Sequence, residues 1–146
     1  MSKKVLILSG SPRKGGNSDI LCDEFARGAQ EAGNEVEKIR VASKKIHPCS
    51  ACYYCRDHGG ACVHKDDMAA IQQKMIDADV LVLASPVYFY SIDAQLKAVI
   101  DRTVARWWPV GWRSKTRSSI TSSPWQTRQK PPLTPRLHAS AAMLTA

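Results

Sequence analysis

The sequence predicts an α/β chain built on a doubly wound parallel sheet, and three observations carry that prediction. Residues 5–8 and 80–84 are short, unbroken apolar runs (Val-Leu-Ile-Leu and Val-Leu-Val-Leu-Ala), the signature of strands buried on both faces. Segments with apolar residues at helical spacing alternate with the strands, which calls for right-handed crossovers and parallel pairing. Loops of unusual composition follow the first and third strands, at the carboxyl edge where such sheets bind ligands.

Each element has its own signal. Residues 4–9 form the first strand and residues 10–16 a loop rich in Gly, Ser and Pro. Asn17 or Ser18 is placed to cap the next helix, because its side-chain oxygen can accept an otherwise unbonded backbone N–H. Leu21, Phe25, Ala29 and Ala32 recur at helical spacing as its expected buried stripe, and Gly33-Asn34 stops it. Residues 35–41 alternate partly and read as a more exposed strand. A cysteine-rich loop fills residues 47–65. Asp66 or Asp67 opens a second helix, with Met68, Ile71, Met75 and Ile76 on its apolar side. Acids there suit the positive end of a helix dipole, so Asp66-Asp67 reads as a cap rather than a catalytic pair. Residues 80–84 are the third strand and residues 86–91 a loop. Residues 93–106 are a third helix, burying Leu96, Val99 and Ile100.

Composition divides the 146 residues in two. Residues 1–106 hold 15 of the 21 Lys and Arg against all 13 acids, a net of +2. Residues 107–146 hold the other 6 basic residues, all four tryptophans (Trp107, Trp108, Trp112 and Trp125) and five of the eight prolines. The overall +8 therefore belongs to the tail, and nucleic-acid binding by the nearly neutral body is not expected. Pro, Ser, Thr and Arg in clusters bury too little apolar surface to offset chain entropy. Three readings of the tail compete: a disordered basic arm, an ordered extension packing its tryptophans on the body, and a frameshifted translation. The abrupt change near Trp107 favours the last. No apolar run approaches the ~20 residues that span a bilayer. The apolar run after Met1-Ser2-Lys3-Lys4 is shorter than a secretion leader calls for, so secretion is not expected and a cytoplasmic location is.

The loop after the first strand reads Ser9-Gly10-Ser11-Pro12-Arg13-Lys14-Gly15-Gly16-Asn17-Ser18. Hydroxyls, backbone N–H groups, an Arg and a helix N-terminus converge there, a set that suits a terminal phosphate. It has neither the Lys-Ser/Thr of a nucleotide-triphosphate loop nor the Gly-x-Gly-x-x-Gly of a dinucleotide site. An ordinary Gly/Ser turn is the alternative. The loop after the third strand, Ser85-Pro86-Val87-Tyr88-Phe89-Tyr90-Ser91, offers aromatics on which a flat heterocycle could stack. Here the alternative is that Tyr88 and Phe89 cap the core. Flavin mononucleotide (FMN) accounts for both ends of such a site.

These segments, with Leu96-Lys97 and Asp101-Arg102, resemble the NAD(P)H-dependent FMN reductase family, and within it the iron–sulfur flavoproteins, which have a flavodoxin-like fold. The resemblance covers residues 4–106. It implies that Ser9, Ser11, Arg13, Asn17 and Ser18 hold the FMN phosphate and that Pro86, Val87, Tyr88 and Phe89 line the isoalloxazine. It also implies a dimer or tetramer. The family fold has five strands; after Arg106 this chain departs from it. The expectation is thus a C-terminally incomplete sheet of three strands with the third as an exposed edge, residues 1–106 being a partial flavodoxin-like FMN-binding domain.

Cys49, Cys52, Cys55 and Cys62 follow a C-x2-C-x2-C-x6-C pattern. Four thiolates in one loop can surround a metal centre, and soft sulfur selects an iron–sulfur cluster or zinc. A cluster ranks first, reduced thiols second and zinc third, because structural zinc sites usually pair two separated doublets. The spacing resembles the [4Fe–4S] motif of iron–sulfur flavoproteins. His47, His58 and His64 read as solvated loop residues, and Cys22 as a buried helical side chain. The expected function is FMN-dependent electron transfer from NAD(P)H or reduced ferredoxin to a small acceptor, with no catalytic acid or base. The alternatives are a non-enzymatic metal- or nucleic-acid-binding module and an inactive, truncated relic.

Overall fold

A computed structural model of the chain describes residues 1–106 and 117–122. The strands are β1 (Lys4–Ser9), β2 (Glu35–Arg40), β3 (Val80–Ser85), the short β4 (Val87–Tyr88) and β5 (Ser91–Ile92), and β6 (Arg117–Ser122). The helices are α1 (Asn17–Glu31), α2 (Tyr54–Asp57), α3 (Met68–Asp77) and α4 (Ala94–Arg102). The main sheet has the order β2-β1-β3-β6 with every pair parallel, and β4 and β5 make a separate antiparallel hairpin.

β1 is apolar without interruption because helices cover both of its faces. Leu6 and Leu8 point into one core with Met68, Ile71 and Met75 of α3 and Leu96 and Val99 of α4. Val5 and Ile7 point the other way, against Cys22 of α1 and Val82 and Ala84 of β3. Ile7 and Leu8 are fully buried, which stabilises the fold by about 1.5–3 kcal/mol each. β2 alternates because it lies at the edge of the main sheet.

Several sequence expectations need correction. The stripe of α1 runs through Ser18, Cys22 and Ala26 toward the sheet, while Leu21 and Phe25 are 45% and 40% exposed. Small side chains let this helix approach the strands closely, so its bulky residues lie one position further round. Ile76 of α3 is likewise exposed, and Gln72 takes the buried place. The cap of α1 is Gly16, with no side-chain hydrogen bond, rather than Asn17 or Ser18. The third helix is interrupted by a turn at Thr103, so α4 closes at Arg102 while residues 104–106 are again helical. Residues 86–91 are not a plain loop, since they contribute the β4–β5 hairpin.

The largest correction concerns the sheet itself. Among the described residues it has four parallel strands, and β3 is not its edge: Val80 to Ser85 pair in register with Arg117 to Ser122. The unpaired N–H and C=O groups of β3 need a partner, and Arg-Ser-Ser-Ile-Thr-Ser supplies one without a proline and with β-branched Ile120 and Thr121. Its small polar residues carry no strand signal of their own. That strand lies within the tail; the expectations for Trp107, Trp108 and the tail outside residues 117–122 lie outside the described residues.

Candidate functional site

The strand order reverses between β1 and β3. β1 leads through α1 to β2 on one side, and the chain returns to β3 on the other. Loops leaving the carboxyl ends of such a pair diverge and leave a crevice. Here the Gly10 N–H donates to the Ala84 carbonyl at 2.8 Å and binds the two strand ends together. A Cβ on residue 10 would stand 2.2 Å from Oδ2 of Asp93, so only glycine fits.

Asp93 is fully buried and underlies both loops. Its Oδ1 accepts the Leu96 N–H at 2.9 Å and so caps α4. Its N–H donates to the Ser85 hydroxyl at 2.8 Å, and that hydroxyl lies 2.5 Å from Oδ2. Asp19 plays the matching part under residues 10–16. It is 4% exposed, accepts the Gly15 N–H on Oδ2 at 2.8 Å and faces Nζ of Lys38 at 2.7 Å. Burial pushes its carboxyl up, yet Lys38, the Gly15 amide and Arg40 together hold it below its ordinary value. Sequence reasoning missed Asp19 as a loop-shaping residue. Its only signal was an acid in the first helical turn.

Above this base lies a cavity of about 360 Å³ lined by Ser11, Arg13, Gly16, Asn17 and Ser18 on one side and Pro86, Val87 and Tyr88 on the other. Eight residues from the two loops thus meet, seven of them expected site residues. Ser9 and Phe89 do not line it. Ser9 is fully buried beneath the loop, its hydroxyl against the Cys22 thiol. Phe89 is 96% exposed at the tip of the hairpin, where it and Tyr90 take left-handed backbone angles (φ 46° and 64°). The N-terminus of α1, uncapped by any side chain, contributes about half a positive charge beside Arg13. A Cβ on Gly16 would press on Arg13 Cβ at 3.2 Å and approach Ser11 Oγ at 3.7 Å, crowding the cradle. The donors suit a dianionic phosphate, and the Pro-Val-Tyr wall suits a planar ring.

A second cavity of about 360 Å³ brings Cys49, Cys52, Cys55 and Cys62 together, with Arg102, Val104 and Ala105 from the end of α4 and the turn beyond it. Cys22 stands apart, buried on the sheet-facing side of α1, where burial pushes its thiol up. Cys52 is exposed, and its thiol is lowered by the Tyr54 N–H and by Ser50. The Cys55 thiol is raised, first by burial and then by Cys62, Cys52 and Cys49 nearby. Among the described residues no three His, Cys, Asp or Glu side chains are gathered closely enough for a single metal ion. Ala51 and Tyr53, on either side of Cys52, both have positive φ (53° and 57°), so the loop coils tightly around the cysteines.

Asp66 does more than cap α3. Its carboxylate accepts both ends of the Arg102 guanidinium, at 2.7 and 3.0 Å, along with the His47 and Met68 N–H groups. Burial pushes its carboxyl up, but Arg102 and these two amides overcome that and bring it down to about 2. A capping acid was legible in the sequence; its partner 36 residues away was not.

Residues 3–130 match the family described as NADPH-dependent FMN reductase. The chain is 40% identical over 120 residues to an iron-sulfur flavoprotein of Archaeoglobus fulgidus, covering 82% of this chain and 52% of that protein. It is 43% identical over 100 residues to one of Methanocaldococcus jannaschii, covering 68% and 51%. It thus spans about half the length of these relatives. Among solved structures it resembles the NAD(P)H:quinone oxidoreductase of Methanothermobacter marburgensis, with TM-score 0.68 and 20% identity over 84% of this chain and 65% of that one. It also resembles a structure described as a quinone reductase of Klebsiella pneumoniae, with TM-score 0.64 and 22% identity over 83% and 59%. At these identities the likeness speaks for the flavodoxin-like fold alone. No described helix is long and apolar enough to cross a membrane. By its match over most of its length, the chain belongs to the NADPH-dependent FMN reductase family.

Proposed function

We propose that the chain binds FMN at the carboxyl ends of β1 and β3 and acts as an electron-transfer oxidoreductase. Electrons pass from NAD(P)H or reduced ferredoxin to a small acceptor, and Cys49, Cys52, Cys55 and Cys62 hold a [4Fe–4S] cluster. The observation that carries this reading is the convergence of two chemically different loops on one cavity, one rich in phosphate donors and one in ring-stacking groups. When bound, FMN supplies the redox chemistry.

The residues of the chain bind and orient. Arg13, Ser11 and the first-turn amides at Asn17 and Ser18 neutralise and fix the phosphate, while Ser9 supports the loop from below. Pro86, Val87 and Tyr88 present a dry wall to the ring, and Phe89 extends that wall at the hairpin tip. The Gly10–Ala84 bond and the buried Asp93 keep the two walls at a constant separation. For the cysteines, four soft thiolates lining one cavity support an iron–sulfur cluster. α4 joins the two sites: Asp93 at one end and Arg102 nine residues on lie about 13 Å apart along its axis. Self-association and a reducing, cytoplasmic setting complete the proposal.

The experiment is a fluorescence titration of the full chain with FMN and with riboflavin, followed by anaerobic addition of NADPH. Tighter binding of FMN and bleaching of its visible absorbance by NADPH are expected. Equal binding of both flavins would remove the phosphate assignment, and no binding of either would overturn the FMN reading. Iron and sulfide analysis of single Ala variants at the five cysteines tests the cluster. Loss at all positions except Cys22 is expected, and loss at Cys22 as well would overturn the loop assignment.

A further inference from the structure

We propose that Arg102 is the positioning residue of the four-cysteine site, holding both ends of the cysteine loop and presenting a charged donor to its sulfurs. This rests on the cluster reading above.

The loop is long and has little internal structure: between the end of β2 and the start of α3 only one 3-10 turn (Val41–Ser43) and the four-residue α2 intervene. Such a segment does not hold four thiols in one place unaided. The structure ties its ends at one point. The Nη1 of Arg102 donates to the His47 carbonyl at 2.8 Å and to Oδ2 of Asp66 at 2.7 Å, and Nη2 donates to Oδ1 of Asp66 at 3.0 Å. Asp66 in turn accepts the His47 N–H at 2.9 Å. One guanidinium therefore joins residue 47, just before the first cysteine, to residue 66, just after the last. Lys45 and Asp67 add a second tie, with N–H donations of 2.8 and 3.1 Å in opposite directions.

Arg102 is itself held rigidly. It is 2% exposed, belongs to the last turn of α4, and its carbonyl accepts from the Gln72 side chain of α3 at 2.7 Å. Its guanidinium lines the cavity of the four cysteines and lies beside the Cys62 sulfur. Among the described residues its buried Nε–H has no hydrogen-bond partner, while the Cys62 sulfur interacts with the guanidinium. Buried donors are nearly always satisfied, and in this proposal the neighbouring Cys62 sulfur is the acceptor that the guanidinium serves. A charged N–H directed at a ligating thiolate stabilises added negative charge and raises the reduction potential of the sulfur-ligated group. Lysine has no planar fork and cannot reproduce the bidentate pair.

The test uses the full chain purified anaerobically, with the variants R102Q, R102K and D66N. Amide exchange is measured before and after iron removal with a chelator, and the midpoint potential is measured on the iron-loaded protein. In R102Q and D66N, amides 47–64 should exchange at least tenfold faster with or without iron, while amides of β1 and β3 stay protected and report an intact fold. R102Q that retains iron should have a lower midpoint potential than the wild type. R102K, which keeps the charge, should recover the potential more than the loop protection. Wild-type exchange in the loop of R102Q would overturn the clamp. A wild-type potential in R102Q would overturn the donor role. Wild-type protein that takes up no iron would remove the cluster reading and the donor role with it, while the exchange data still decide the clamp.

Discussion

The two ends of α4 support two candidate sites built in different ways. At its N-terminus the cradle of loops 10–16 and 86–92 rests on backbone: strand ends, a helix start, and the glycines at 10 and 16. At its C-terminus the cysteine site rests on one buried ion pair that closes a long loop. A backbone-built site survives the loss of most single side chains but not the filling of its narrow places. A loop closed by one ion pair is sensitive to that pair and to pH.

The largest effect expected is at Gly10. Alanine there would drive a methyl into the buried Asp93 carboxylate, and overpacking of this kind costs about 3 kcal/mol. Urea unfolding should show that loss together with lost FMN binding; a variant of wild-type stability would mean that the crevice is looser than described. Next is Arg13→Ala, which should weaken FMN by about 1.5–3 kcal/mol and riboflavin far less, because only FMN carries the dianion. Equal losses in calorimetric titrations would break the assignment of this end to phosphate.

Acid probes the other end. The Asp66 carboxyl titrates near 2 when folded and near about 3.9 when unfolded, so the unfolded chain binds more protons in between. The stability it supplies, on the order of 2 kcal/mol, is fully present above about pH 5 and is lost as pH falls toward 2. Unfolding free energies measured from pH 6 to 3 should fall in the wild type and fall less in D66N, which starts lower because Arg102 is left unpaired. Parallel curves would show that the pair is not what closes the loop. The smallest effect is at Ser11, whose hydroxyl makes one neutral contact with the Arg13 carbonyl at 3.3 Å. Ser11→Ala should change FMN affinity by about 1 kcal/mol or less.

The backbone-built end was largely legible in the sequence. Unbroken apolar runs specify buried strands, strand–helix alternation specifies a parallel sheet, and the switch point then follows, which is why Ser11, Arg13, Asn17, Ser18, Pro86, Val87 and Tyr88 meet. Long-range pairing of polar groups has no such period. Nothing in Asp66 names Arg102, and nothing in Asp19 names Lys38, because each pairing is set by tertiary packing. The stripe of α1 was misjudged for a related reason: bulky Leu21 and Phe25 dominate a periodicity count, whereas the close approach of helix to sheet selects Cys22 and Ala26. β6 escaped notice because a strand recruited by an open edge needs hydrogen-bonding backbone more than apolar side chains.

The central claim is that one small α/β unit holds a flavin at one end of α4 and a sulfur-ligated iron centre at the other. The absorbance spectrum of the full chain, purified anaerobically from iron-supplemented cells, tests it most directly. Two visible flavin bands superimposed on broad brown absorption are expected, with the flavin bands released by acid. A colourless protein containing neither iron nor flavin would contradict it.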